Sequence, residues 1–197
     1  MAKLIFRYGA MGSSKTANAL MVRYNYYERD KKVVLLKPRC EDRDGSKVIK
    51  SRIGLEEPCE FAEEFLENYS GEHYDCIIVD EVQFLAPEII DRLSDLVDNY
   101  GITVICYGLR TDFQSHLFPG AQRLMELADD IEQIRTICWC GKRAHLTSAK
   151  SLPCGQVLAN HSRSISSAVQ ESPFPSHNGS GHRQLAGQGL RHFSAFV

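Results

Sequence analysis

The 197-residue sequence contains no apolar run that approaches the roughly 20 residues needed to span a bilayer. It also lacks a strong charge excess, because its net charge at pH 7 is −2. Such a chain has no overall electrostatic attraction to nucleic acid or to an anionic membrane surface. The N-terminus has no signal-peptide pattern, since Met1–Phe6 leads directly into a strand-like run. We therefore expect a cytoplasmic protein with neither a nucleic-acid nor a membrane partner.

The C-terminal segment lacks the composition of a packed domain. Residues 151–197 contain no lysine and a single acidic residue, Glu171, although the whole chain has 25 aspartates and glutamates. Four of the seven histidines lie in this segment among Ser, Gly and Pro, and no helical or strand period persists. This composition predicts loop or disorder.

The cysteines give no sign of a disulfide framework. There are seven, an odd number, and Cys76 and Cys106 lie within apolar, strand-like runs. Both are expected to be buried thiols, which suits a reducing compartment.

Before residue 147, short apolar runs alternate with segments of helical periodicity. This alternation predicts an α/β domain with a mostly parallel sheet and helices on both faces. Residues 39–58 are polar and contain Asp-Gly and Pro, and they are predicted to form a long functional loop. Strands are predicted at about 4–8, 32–37, 74–79, 103–107 and 131–137, and helices at about 17–29, 61–69, 87–100 and 124–128.

A phosphate-binding loop is predicted between the first strand and the first helix. Its small side chains allow backbone N–H groups to converge on phosphate oxygens at a helix start. Lys15 supplies a cation for the β- and γ-phosphates, and Thr16 a hydroxyl ligand for Mg²⁺. Ser14 stands where the usual Walker A pattern has glycine, so the loop must hold it at a dihedral that a non-glycine residue tolerates. The predicted loop consists of Gly9, Ala10, Met11, Gly12, Ser13, Ser14, Lys15 and Thr16.

A second motif, Asp80-Glu81, directly follows the apolar run 74–79. Ligands of parallel sheets bind at the carboxyl ends of strands, where Asp80 can hold Mg²⁺ through water. Because side chains alternate along a strand, Glu81 is expected to face the other side. It would then face an acceptor hydroxyl or an attacking water.

Four motifs in order resemble those of the thymidine kinase family of the tetrameric, zinc-containing type. The resemblance extends over about residues 1–145. The motifs are Gly9–Thr16 with Met11, Asp80-Glu-Val-Gln-Phe84, Gly108-Leu-Arg-Thr-Asp-Phe113-Gln with Phe118, and Cys138-Trp-Cys140-Gly.

The resemblance implies a P-loop, RecA-like fold, ATP-dependent phosphorylation of the 5′-hydroxyl of thymidine, and a homotetramer. Glu81 would be the catalytic base, and Arg43 would lie near the nucleotide. The ATP-binding run would comprise Asp80, Glu81, Val82 and Gln83. Phe113, Met11 and Phe118 would line the nucleoside site, although ordinary core packing is an alternative for both phenylalanines.

The resemblance also implies a domain at 1–137 and a small zinc and lasso region at 138–197. Cys138 and Cys140 would supply half of a structural zinc site, but no second Cys/His pair follows them. The family's thymine-reading Gly-Gly segment is also unrecognisable. A shift of reading frame or divergence between about 146 and 159 would explain both losses.

Two alternatives remain open on the sequence. In the first, Glu81 activates water and the protein is a P-loop ATPase. In the second, motivated by Ser14 and the missing lasso, the chain binds nucleotide without catalysis.

Overall fold

The centre of the sheet is built from residues that are apolar on both faces, as expected for strands covered by helices. The computed structural model describes residues 1–41, 47–138 and 143–144. Cys76–Val79 form one such strand, in which all four residues are buried. The strands are β1 (Leu4–Tyr8), β2 (Val33–Lys37), β3 (Val48–Lys50), β4 (Glu56–Pro58), β5 (Glu60–Phe61), β6 (Cys76–Val79), β7 (Thr103–Gly108), β8 (Asp130–Gln133), β9 (Thr136–Ile137) and β10 (Arg143–Ala144).

Six strands form the main sheet in the order β5-β2-β6-β7-β1-β8, and every pairing within it is parallel. The predicted α/β fold with a parallel sheet is confirmed. Because the strands are parallel, the loops after β1, β6 and β7 emerge at the same edge. The helices are α1 (Lys15–Tyr27), α2 (Ala62–Asn68), α3 (Pro87–Tyr100) and α4 (Pro119–Leu127), with 3₁₀ turns at Arg39–Glu41 and Val82–Phe84.

Each face of the sheet packs against its own set of elements. Alternate strand residues, such as Ile77 and Val79, contact α2, α3 and α4 in one buried cluster. Their neighbours Cys76 and Ile78 belong to a second cluster with α1 and the β3–β4 hairpin. Cys76 and Cys106 are both buried free thiols, as predicted, and burial raises the pKa of Cys76 to about 12.

Local chemistry sets the ends of α3 where the sequence predicts them. Pro87 occupies the first turn, where its missing N–H costs no hydrogen bond. Gly101 ends the helix with φ 65°; its N–H donates to Val97 O, and the Ile102 N–H donates to Leu96 O. The N-terminus of α4 packs closely on the turn after β6. A Cβ at Gly120 would lie only 2.6 Å from Leu85 O, so glycine is what allows this close approach.

Two predictions about local structure are wrong. The segment 39–58 is not all loop, since β3 and β4 form an antiparallel hairpin. The single strand predicted at 131–137 is two: β8 extends the main sheet, whereas β9 pairs antiparallel with β10.

The first compact unit of the chain is Met1–Thr147, and the domain boundary after residue 137 stays a prediction. Within the described residues, no helix is long and apolar enough to cross a membrane.

Candidate active site

The loop between β1 and α1 is tightly folded over the end of the sheet. The Gly9 N–H donates to Gly108 O at 3.2 Å, and the Ser13 N–H donates to Ala10 O at 3.2 Å. A Cβ at Gly9 would lie 2.3 Å from Ser13 Oγ and 2.8 Å from Ile134 O. Glycine is therefore required at this position to let the loop close.

Ser14 occupies the left-handed region, with φ 58° and ψ 31°, immediately before α1. This lies within the narrow left-handed region that an L-residue tolerates, as the sequence led us to expect. The chain thus keeps a backbone conformation that glycine favours, at a cost of about 1 kcal/mol for serine. The Ser14 side chain makes no capping hydrogen bond to the helix.

Lys15 is the first residue of α1 and is only 7% exposed. Its Nζ donates to Gly9 O at 3.3 Å and to Ala10 O at 3.1 Å, so the ammonium group lies against the phosphate loop. Burial lowers the pKa of Lys15, and the negative charges of Glu81 and Asp80 oppose that effect. The structure thus brings together a buried cation and two carboxylates that are distant in the sequence.

Asp80 lies at the end of β6 and is 3% exposed. The neighbouring Thr16 side chain acts to lower the pKa of this carboxyl, so the two residues lie close together, and their role as Mg²⁺ ligands stays a prediction. Burial, followed by the charge of Glu81, raises the pKa of Asp80 to about 7. In the described part of the chain, the buried side-chain oxygens without a hydrogen-bond partner are Asp80 Oδ1 and Ser13 Oγ. A carboxylate and a hydroxyl suit Mg²⁺, which prefers oxygen ligands.

Glu81 leaves the strand conformation, with φ 51° and ψ 35°. Strand alternation therefore does not extend to it, because β6 ends at Val79. One carboxylate oxygen, Oε2, accepts a hydrogen bond of 2.7 Å from Gln83 Nε2. Of the charges that act on Lys15, that of Glu81 has the largest effect. The left-handed backbone at Glu81 thus keeps its carboxylate within electrostatic reach of the phosphate loop.

The sequence reasoning missed Arg52, which lies in the connection between β3 and β4. Its Nη1 lies 3.9 Å from the position that a Cβ on Gly12 would occupy, and its charge lowers the pKa of Lys15. The hairpin therefore brings a second cation to the phosphate loop. The polar 39–58 segment signalled function, but its three-residue strands are too short to reveal which residue reaches the loop.

The three residues predicted to contact the nucleoside lie in different local environments. Phe118 immediately precedes α4, packs against the buried core, and contacts Phe84 edge-on with centroids 5.7 Å apart. Phe113 lies in a turn in which Asp112 Oδ1 accepts from the N–H groups of Gln114 and His116. Met11 lies in the phosphate loop and is 55% exposed. Their contacts with a nucleoside stay predictions.

Two predicted site residues, Arg43 and Cys140, lie outside the described residues, as does the segment 145–197. Cys138 directly follows β9 and carries a free thiol. The described ranges contain no group of three or more His, Cys, Asp or Glu side chains that could hold a metal ion. The zinc site therefore stays a prediction.

A tight loop that leads from a parallel strand into a helix, with a buried lysine and a strand-end aspartate beside it, defines a P-loop nucleotide-binding protein. Comparisons with known proteins narrow this class. The family model described as "Thymidine kinase" matches residues 2–165. The chain belongs to the thymidine kinase family, and phosphorylation of thymidine is its reaction.

Two curated relatives of this chain are thymidine kinases. The thymidine kinase of Chromobacterium violaceum is 44% identical over 146 residues, which cover 73% of this chain and 79% of that protein. The thymidine kinase of Haemophilus influenzae (strain Rd) is 40% identical over 152 residues, covering 74% of this chain and 79% of that protein. A solved structure, Bacteroides Pif1 bound to ssDNA, has a TM-score of 0.42 and 16% identity, and the match covers 70% of this chain and 39% of that one.

Proposed function

We propose that this chain transfers the γ-phosphoryl group of ATP to the 5′-hydroxyl of thymidine, with Glu81 as the base. The observation that carries the proposal is the convergence of Lys15, Thr16, Asp80 and Glu81 at one edge of the sheet. These groups supply the cation, the metal ligands and the proton acceptor that phosphoryl transfer requires.

Most of the rate enhancement comes from positioning of the two substrates and from neutralisation of the phosphate charge. The N–H groups of Gly9 and Ser13 donate within the protein, so the other N–H groups of the loop and those at the start of α1 are the ones proposed to face the phosphates. Lys15 neutralises charge on the β- and γ-oxygens. Asp80 and Thr16 would hold Mg²⁺, which would further neutralise the phosphate charge. Val82 and Gln83 complete the proposed ATP-binding run, and Arg43 is proposed to contribute from the sequence segment before β3.

Glu81 is proposed to accept the proton of the 5′-hydroxyl as that oxygen attacks phosphorus. A carboxylate is a weak base towards an alcohol, so proton transfer comes late in the reaction. Its larger contribution is to orient the hydroxyl in line with the bond that breaks. Met11, Phe113 and Phe118 are proposed to border the nucleoside.

The acceptor can be tested by measuring ADP release with thymidine, without it, and with 5′-deoxythymidine, which lacks the attacking hydroxyl. Turnover that requires thymidine and stops with 5′-deoxythymidine supports the kinase. Equal ADP release in all three samples would instead identify water as the acceptor. No release, combined with retained ATP binding, would identify a non-catalytic nucleotide-binding protein. Lys15→Met serves as the inactive control for this assay.

Arg52, whose guanidinium lies near Gly12, is proposed to contact the triphosphate. Arg52→Met is expected to lower kcat/KM for ATP by about 10- to 100-fold, because a hydrogen bond to a charged group contributes about 1.5–3 kcal/mol. The KM for thymidine should stay within about two-fold of its original value, since the contact is to ATP alone. Steady-state kinetics with each substrate varied in turn give both values.

The matched control for Arg52 is Arg29→Met. Arg29 is exposed at the end of α1, and its Nη1 donates to Asn25 O. This variant should behave as the parent. An Arg52→Met enzyme with unchanged kcat/KM for ATP would show that the cation near Gly12 does not touch the triphosphate.

Zinc, the tetramer and the cytoplasmic location are also proposed, on the resemblance of the motifs to the family. Zinc would require Cys138, Cys140 and two further ligands from the segment after residue 144. Elemental analysis of purified protein, combined with Cys138→Ser, tests the zinc site. Loss of one zinc per chain in that variant would support it, and a metal-free parent protein would contradict it.

A further inference from the structure

The side chain of Gln83 connects the proposed base to the neighbouring strand. Its Nε2 donates to Glu81 Oε2 at 2.7 Å, and its Oε1 accepts from the Leu109 N–H at 2.9 Å. Gln83 is 2% exposed, so its amide is shielded from water. Leu109 directly follows β7, so the amide links the loop after β6 to the end of the adjacent strand.

The partners of Gln83 decide which way its amide is oriented. The backbone N–H of Leu109 is a donor only, so it must face the amide oxygen. The amino group must then face the Glu81 carboxylate, which accepts hydrogen bonds. The reverse orientation would place two donors together on one side and two acceptors together on the other.

The surroundings leave the amide little freedom. A Cβ at Gly108 would lie 2.5 Å from Gln83 Oε1 and 2.9 Å from Val82 Cγ1. A Cβ at Gly120 would lie 3.3 Å from the main-chain oxygen of Gln83. Glycine at both positions therefore lets β7 and α4 close on the Gln83 segment.

We propose that Gln83 is a positioning residue for the reaction, and this inference depends on the proposed role of Glu81 as the base. By holding Oε2, the amide fixes the plane of the Glu81 carboxylate and leaves Oε1 to meet the nucleoside hydroxyl. Because Glu81 already has a left-handed backbone, the hydrogen bond fixes the remaining freedom of its side chain. Gln83 thus acts through Glu81, whereas the place of its backbone in the ATP-binding run stays a prediction.

A double-mutant cycle between Glu81→Gln and Gln83→Met tests the inference, with single-turnover rates measured from γ-labelled ATP. Methionine has a similar volume to glutamine but makes neither hydrogen bond. Gln83→Met alone is expected to lower kcat by about 10- to 100-fold, with both KM values within about three-fold of the parent. In the Glu81→Gln background the same change should cost less than about three-fold, because residues that act as a unit are not additive.

The results distinguish three situations. An equal rate loss from Gln83→Met in both backgrounds, or no loss in either, would overturn the positioning role while the base assignment stands. A small effect of Glu81→Gln alone would overturn the base assignment itself, and this inference with it. Gln122→Met, on the exposed face of α4, is the matched control and should leave kcat unchanged.

A folding defect in Gln83→Met would not leave the question open. Gln83→Glu keeps the length of the side chain and an acceptor for the Leu109 N–H, but an ionised carboxylate cannot donate to Glu81. Its kcat should fall by the same 10- to 100-fold or so, with ATP still bound. Parent-level kcat in Gln83→Glu would show that donation to Glu81 is unnecessary.

Discussion

Glu81→Gln is expected to lower kcat by about 10²- to 10⁴-fold, the range that a positioned general base contributes. The glutamine has the same length as the glutamate, but it cannot accept the proton of the 5′-hydroxyl. ATP binding should be retained, since Lys15, Thr16 and the loop backbone hold the triphosphate. Single-turnover rates give the loss in the chemical step, and titration with a fluorescent ATP analogue gives the affinity.

The control for this prediction is Glu88→Gln, in the exposed first turn of α3. It removes one negative charge from the same region of the sequence and should leave kcat within about two-fold of the parent. If kcat of Glu81→Gln also stayed within a few-fold of the parent, the base assignment would be wrong. A loss of ATP affinity as large as the loss in kcat would instead place Glu81 in nucleotide binding.

The fold was predictable for each helix or strand whose own sequence shows where it begins and ends. Pro87 and Gly101 enclose the apolar stripe of α3, and the observed helix runs over Pro87–Tyr100 between them. The interior strands were equally clear, because a run such as Cys76–Val79 must be covered on both faces. Strands of two or three residues were not predictable. β5 and β9 contain too few residues to show a period, so only their partners determine them.

The candidate site was predictable as far as its motifs are contiguous. Lys15, Thr16 and Asp80 were recognised from short patterns with a known chemistry, and the structure brings them together. The contacts of Gln83 and Arg52 could not be derived in this way. The first depends on the left-handed backbone at Glu81, and the second on a hairpin that brings Arg52 back to the phosphate loop. Neither feature leaves a periodic signal in the sequence.

A buried carboxylate at the proposed Mg²⁺ site is expected to carry a cost in stability. Burial raises the pKa of Asp80 from its ordinary value of 3.8 to about 7 in the folded chain. Between about pH 4 and pH 7 the folded state therefore binds more protons at Asp80 than the unfolded state does. The free energy of unfolding consequently falls as the pH rises through this window, and the full penalty applies above about pH 7. Mg²⁺ bound to the carboxylate would offset the penalty.

Asp80→Asn is therefore expected to lower activity while raising the free energy of unfolding. The amide keeps an acceptor for the Thr16 hydroxyl but is a poor Mg²⁺ ligand, so kcat/KM should fall by about 10²- to 10³-fold. Without nucleotide and with EDTA, the same variant should be more stable than the parent at pH 8, by an amount on the order of 2 kcal/mol. This gain should become small as the pH is lowered to about 4, where Asp80 is protonated in the folded state and partly protonated in the unfolded state.

Urea unfolding of the parent and of Asp80→Asn between pH 4 and pH 8 measures the effect. Asp98→Asn, at an exposed position of α3, serves as the control and should show no pH-dependent gain. Parallel stability curves for the parent and Asp80→Asn would mean that Asp80 is ionised in the folded chain at little cost. The carboxylate would then already be stabilised by Lys15 and Thr16, and Mg²⁺ binding would have no penalty to offset. A gain that grows from about pH 4 and levels off above about pH 7 would identify Asp80 as a residue maintained for metal binding at the expense of stability.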